Sequence, residues 1–233
     1  MMLAFDTSSE FLSVAVGDSR GMHAVHDRAG HTQAERLIAT IRQLLSDAGT
    51  SLKALDAIAF GAGPGAFTGL RIACGVAQGL AFAADRPLIA IGAFESVATR
   101  AGELAGERTP SAAPRTIRVA IDARMGEVYT ALVTHGADGW AIDGEAGVLA
   151  PDAVPNDGDA AAGTGYAVFP ALALRRGGMV FAAVVPEARS IIALAKIAFA
   201  RGELLDPADA APVYLRDRVA LTTVERQARA GVS

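Results

Sequence analysis

Apolar and polar positions change their period along the chain, and each change marks an element. Residues 3–6 and 12–16 are almost unbroken apolar runs separated by Thr7-Ser8-Ser9-Glu10-Phe11. Two short runs joined by small polar residues predict a β-hairpin. Residues 22–27 predict a third strand after a turn at 17–21. The period then lengthens. Ala34, Leu37, Ile38, Ile41, Leu44, Leu45 and Ala48 recur at intervals of three and four, the pattern of a helix with one buried face. Thr32 with Glu35 three residues on has the form of a capping box, and Gly49 supplies a stop. A short strand at 56–60 leads into the glycine-rich stretch 61–69 and a helix over 70–84. Pro87 opens a strand at 88–91, and 93–104 reads as helix. This half is a mixed sheet with helices.

Thr109, Pro110, Ser111 and Pro114 give residues 107–115 linker composition. Beyond it, 116–121 and 127–134 predict a second hairpin joined by Asp122-Ala123-Arg124-Met125-Gly126. Trp140 sits on a further strand, 180–185 on a short one, and 187–201 on a helix. The two halves open alike, with strand, Asp-containing turn and strand, which is an internal duplication.

The chain has 233 residues, 52% of them apolar and 20% charged. At that length folding buries about 70% of the unfolded surface, and the composition excludes disorder. No run of about 18 uncharged apolar residues predicts a membrane span, and the start, meeting Asp6 early without a basic region, does not resemble a signal peptide. A net charge of −4 excludes a generic nucleic-acid binder. The single cysteine, Cys74, excludes an intramolecular disulfide framework and fits a reducing cytoplasm. With only Lys53 and Lys196, most lysine-based chemistry is excluded.

Candidate chemistry is sparse. Asp6, Thr7 and Ser8 end a strand in a tight turn, which suits phosphate or a water-held magnesium, though the same residues close any hairpin. Gly61, Gly63 and Ala66 meet a loose dinucleotide fingerprint. Pro64 removes a donor there, however, and Asp85 precedes the strand that a ribose-binding acid should end. A Walker loop fails for want of a lysine. On the next helix Gly75 and Gly79 lie one turn apart and invite a close approach, from this protein's own sheet or from another helix. His23 and His26, three apart on a strand, point to opposite faces. His31 precedes the helix and His135 is isolated. No metal site and no Ser-His-Asp order emerges.

GPGAFTGLRIACGVAQGLA at 63–81 and AIDARMGEVYTALV at 120–133 resemble the TsaB family, the dimerisation subunits of the bacterial tRNA threonylcarbamoyladenosine complex. LAFDTSSEFLSVAV (3–16), HTQAERLIATI (31–41), GTGY (163–166) and PVYLRD (212–217) extend the resemblance end to end. It implies a two-lobed actin-like ATPase fold, with lobes at 1–106 and 107–233 and a last helix able to pack back on the first. Asp6, Thr7, Ser8 and Asp122 then fall in vestigial phosphate hairpins. Phe94 and Ala98 take the places of the two histidines that hold metal in the catalytic paralogue, TsaD, so neither a catalytic residue nor a resident cofactor is expected.

By the same resemblance, TsaD transfers threonylcarbamoyl to N6 of adenosine 37 in tRNAs reading ANN codons. TsaB pairs with it through helices expected here at 32–48 and 68–84, by way of Leu37, Ile41, Leu70, Cys74, Gly75, Gln78, Gly79 and Phe82. A homodimer forms in its absence, the ATPase TsaE joins where the two meet, and tRNA is contacted only indirectly. The alternative is an ATP-dependent phosphotransferase of the same superfamily with Asp6 on the magnesium side. A metallopeptidase is rejected, since no nucleophile, metal set or base is present.

Overall fold

The first two apolar runs pair as antiparallel strands β1 (Met2–Asp6) and β2 (Phe11–Gly17), with Phe5 opposite Val14. The computed structural model describes residues 1–18, 20–108 and 113–216. β3 (Met22–Arg28) extends the meander at one edge. On the other side β4 (Ala57–Gly63) lies parallel to β1, and β5 (Leu88–Gly92) parallel to β4. The second half repeats this plan. β6 (Thr116–Asp122), β7 (Val128–Gly136) and β8 (Gly139–Leu149) form an antiparallel meander. β9 (Ala160–Ala162) and β10 (Met179–Phe181) add parallel to β6 and β9 in turn. Each sheet has five strands, ordered third, second, first, fourth, fifth, so the duplication read from the two hairpins extends to whole sheets.

Helix α1 (Gln33–Asp47) buries Leu37, Ile41, Leu44 and Leu45 as its period demands. Its start differs from expectation. Residues 30–32 form a tight 3₁₀ turn, and the Thr32 hydroxyl donates back to the Ala29 carbonyl at 2.9 Å, so no capping box forms. The stop at Gly49 holds. With φ +60° it lets its own N–H reach Ser46 O and that of Thr50 reach Leu45 O, pairing the last carbonyls of the helix. Helix α2 (Phe67–Ala84) starts three residues before the expected position, because β4 runs on through the first glycines.

Helix α3 (Ala93–Arg108) places Phe94, Val97 and Ala101 on Ile117, Val119 and Val133, in the core of the second sheet. Gly102 makes that contact close. A Cβ there would stand 2.8 Å from the Trp140 ring on β8. Helix α6 (Ala188–Ala200) does the reverse, setting Ile191 and Ala195 against Ala4, Ala59 and Ile89 of the first sheet. α1 and α2 cover that sheet's other face, and α4 (Gly165–Val168) and α5 (Pro170–Arg176) cover the far face of the second. The two halves thus exchange a helix. A division at 106/107 falls inside α3, and of the expected linker Thr109, Pro110, Ser111 and Ala112 lie outside the described residues. Over 180–185 only the first two residues are strand.

Candidate functional site: two hairpin turns and an exposed helix face

At the end of β1, the Asp6 carboxylate is 1% exposed. It accepts the Ser8 N–H at 2.9 Å, and the Ser8 hydroxyl lies 2.9 and 3.0 Å from its two oxygens. Burial pushes its pKa up to about 6, and the Ser8 bonds only partly offset that. No cation pairs with it among the described residues.

The glycine-rich stretch explains how so tight a site is reached. A Cβ on Gly61 would sit 1.9 Å from Asp6 Oδ2, and one on Gly69 1.8 Å from the Thr7 carbonyl oxygen. The Thr7 hydroxyl donates to Gly69 O at 2.7 Å, and Ala66 N–H donates to Ser8 O at 2.7 Å. Gly61, Gly65 and Gly69 admit the first hairpin, whereas Gly63 lies against Leu70 and the Val213 carbonyl. The amide and hydroxyl of Ser8 and the hydroxyl of Thr7 are all committed internally.

The second turn is open by contrast. Asp122 accepts the Arg124 N–H at 2.9 Å and pairs with its guanidinium at 3.2 Å, while its own N–H donates to the Thr164 hydroxyl at 3.0 Å. Arg124, Met125 and Gly126 all have positive φ, at 62°, 56° and 81°. Two side-chain-bearing residues in succession hold a conformation that is costly for L-residues. The Arg124 side chain is 83% exposed.

Helix α2 carries the other expected site. It is the one described helix long and apolar enough, by length and composition, to cross a membrane. Here its buried residues, Gly69, Leu70, Ala73, Cys74, Ala77, Ala81 and Ala84, face this protein's own core. Gly75 and Gly79 face outward, and a Cβ on either meets no described atom within 4 Å. Packing against the protein's own sheet therefore does not account for them. Phe82, 84% exposed, continues that face. Gln78 is half-buried and donates to Pro207 O at 3.0 Å and Ala210 O at 3.2 Å.

Leu70 and Cys74, like Leu37 and Ile41 on α1, are core residues with almost no surface to offer. Leu37, Ile41, Leu70 and Cys74 point inward, so of the expected contact set only Gly75, Gly79, Phe82 and part of Gln78 lie at the surface. Phe94 and Ala98 are buried between α3 and the second sheet. His26 stacks on Phe11 at 4.6 Å and lies 3.8 Å from Glu187, with burial holding its pKa below the usual value. Among the described residues no group of three or more His, Cys, Asp or Glu is placed to hold a metal.

Sequence reasoning missed two features. One is the Arg118–Asp157 fork, at 2.7 and 2.6 Å, beside the buried Tyr166 hydroxyl. The other is the run leading to Arg216, which had entered only as part of a resemblance.

Comparison with known proteins bears on the family and the fold. The family model described as TsaD, tRNA N6-adenosine threonylcarbamoyltransferase, matches residues 25–148. The tRNA threonylcarbamoyladenosine biosynthesis protein TsaB of Escherichia coli is 34% identical, over 94% of this chain and 96% of that protein. Its namesake from Haemophilus influenzae is 32% identical over 94% of each. A crystal structure from Pseudomonas aeruginosa, described as an uncharacterized protein with similarity to peptidase YeaZ, superposes with a TM-score of 0.81. It shares 38% identity over 92% of this chain and 99% of that one.

Proposed function

Because the chain belongs to the TsaD domain family and, within it, to the TsaB proteins, we propose that it is a non-catalytic subunit of the machinery that builds threonylcarbamoyladenosine in tRNA. In this reading it acts in the cytoplasm by pairing with a TsaD-type catalytic paralogue. The observation that carries it is the outward face of α2, where Gly75 and Gly79 leave the backbone bare and Phe82 stands clear of the surface. Small residues one turn apart let a second helix approach to backbone contact. At its C-terminal end this face runs into an open groove of about 900 Å³ between Phe82, Arg86, Leu204 and Pro207, which offers apolar surface to the same partner.

The first hairpin supports the non-catalytic half of the reading. The polar groups that would greet a phosphate are bonded to Asp6 and to Gly69. The net charge of −4 suits a subunit that leaves most tRNA contact to its partner. A homodimer through the same face in the partner's absence, and recruitment of the ATPase TsaE to the paired form, complete the proposal.

Light scattering on a size-exclusion column, with this chain alone and mixed with TsaD from the same organism, tests it. A one-to-one complex replacing a homodimer is the expected result. Gly75→Leu should abolish pairing while leaving the circular dichroism unchanged, since the position faces outward and a Cβ there meets no described atom within 4 Å. No complex at micromolar concentrations, or a Gly75→Leu variant that pairs as well as wild type, would overturn the assignment. ATP turnover by the isolated chain that disappears in Asp6→Ala would favour the phosphotransferase instead.

A further inference from the structure

After α6 the chain runs, with one short 3₁₀ turn at Pro207–Asp209, from the edge of the first sheet to the second hairpin. Along this path it is tied to both halves. Leu205 exchanges two backbone hydrogen bonds with Leu88 on β5, at 3.0 and 2.9 Å. Leu205 and Ala210 pack into the core beneath α2, and Gln78 and Cys74 both reach the Ala210 carbonyl. Val213 N–H donates to Ala62 O at 2.8 Å, at the end of β4. The Val213 carbonyl oxygen lies 2.9 Å from where a Gly63 Cβ would be, so glycine is what lets the segment lie down there.

Tyr214 is the last residue held by the first half, and past it the partners change sides. Tyr214 rests on Phe67, with ring centroids 5.4 Å apart, and accepts from Arg71 Nε at 3.3 Å. Leu215 then joins the core of α3 and the second sheet. Arg216 pairs with Glu127, lies over the Tyr129 ring at 5.9 Å and points a guanidinium nitrogen at the Met125 sulfur at 3.5 Å. All three belong to the second hairpin or its turn.

We propose that residues 205–216 are a releasable clasp, anchored permanently on the first half and latched on the second by Leu215 and Arg216, which controls how far the two halves separate. The two ends differ in strength. Up to Val213 the anchored end has six polar contacts and two apolar residues in the core, Ala210 buried and Leu205 partly so. The latch has one partly buried apolar side chain, one ion pair whose carboxylate is 43% exposed, and the contacts of Arg216 with the Tyr129 ring and the Met125 sulfur. An ion pair of that exposure contributes modestly and is screened by salt, so the latch is the end that opens. Its partner is the turn that holds Arg124 and Met125 in left-handed conformations, so release and turn geometry are linked through Glu127 and Met125. None of this rests on the reading of α2 as a docking face.

Hydrogen exchange by mass spectrometry on the whole chain tests the clasp, comparing wild type, Arg216→Glu and the charge swap Arg216→Glu/Glu127→Arg. With the latch broken, amides over 122–130 and 211–216 should exchange about tenfold faster while those of α1 and α6 keep the wild-type rate. The swap should return both segments to within about twofold of wild type, because it restores attraction at the same place. Unchanged exchange in Arg216→Glu, acceleration spread evenly over α1 and α6, or a swap without recovery would each overturn the proposal. The even spread would mark a simple loss of global stability.

Discussion

The two hairpins open their sheets at equivalent places and end their first strands in Asp6 and Asp122, yet one turn is sealed and the other presented. At the first, Asp6 is buried without a cation, and three polar groups fold inward around it. At the second, Asp122 holds an exposed arginine, and the turn is drawn into left-handed backbone. What separates them is what lies beyond each turn. β4 and α2 approach the first through glycines that admit it to backbone contact, whereas the second turn is approached by Thr164 and by the end of the chain segment carrying Arg216. Duplicated strands fix the place of a turn. Its neighbours decide what chemistry it keeps.

The strongest way to break the contrast is to add one methyl group at a glycine of β4 that faces the first turn and one at the glycine within the second. Gly61→Ala puts a Cβ 1.9 Å from Asp6 Oδ2, in a region with no room to move. Overpacking of this kind sits at the top of the usual range, and we expect a loss of 3 kcal/mol or more in urea denaturation. Gly126→Ala meets nothing within 4 Å and adds only the cost of φ +81°, about 1–2 kcal/mol. Equal losses would mean the first turn is no more tightly enclosed than the second.

The aspartates offer the next test. In the folded chain Asp6 holds its proton up to about pH 6, against 3.8 for the ordinary side chain. The folded state therefore binds more protons between roughly pH 4 and 6, and stability from this group falls as pH rises through that window. Asp6→Asn keeps an oxygen for the Ser8 N–H and removes the charge. Relative to wild type it should gain roughly 2–3 kcal/mol between pH 3.5 and 7.5, from about two units at 1.36 kcal/mol each. Asp122→Asn should change stability by less than about 1 kcal/mol at neutral pH, because its ion pair is with a largely exposed arginine. An Asp6→Asn difference that does not vary with pH would show that burial does not set the carboxyl's affinity for its proton.

Much of this was legible in advance, and what was hidden was hidden for physical reasons. The period of α1 and the Asp-bearing hairpins are local signals, and they located the strands and helices that frame both turns. β9 is three alanines, which carry no period at all. The exchange of α3 and α6 could not be read from the pattern, because an amphipathic pattern says that a face is buried without saying against what; only the resemblance allowed for a last helix packed back on the first half. α2 was the hardest case. Leu70, Cys74, Gly75 and Gly79 sit in a helix of small and apolar residues, so nothing local ranks its faces, and the glycines and Phe82 proved outward while Leu70 and Cys74 faced in. The pattern of α1 puts Leu37 and Ile41 on its buried face, and only the resemblance made them contact residues, because a core stripe and a docking stripe look the same in one dimension. The clasp left no trace of its partner, since Arg216 meets Glu127 across 89 residues of chain.

The finest test concerns the strain in the second turn. Met125 has φ +56° and is half-exposed, and its one polar contact is the sulfur facing Arg216. Holding an L-residue there costs about 1–2 kcal/mol. Met125→Gly removes that cost and adds back unfolded-state entropy of about 0.4–1 kcal/mol, for a net gain of about 0.5–1 kcal/mol. The sulfur contact is lost as well, so Met125→Ala is the proper reference, because it loses the same contact and keeps the strained backbone. Glycine should be the more stable of the pair by roughly 1 kcal/mol, read from urea midpoints at constant m-value. If alanine equals glycine, the turn is not strained at this position, and its left-handed shape reflects only the hydrogen bond from Arg124 N–H to Asp122. If glycine is more stable, the exposed turn is held against a local preference that the sealed one does not face, since no residue of the first turn among those described has positive φ.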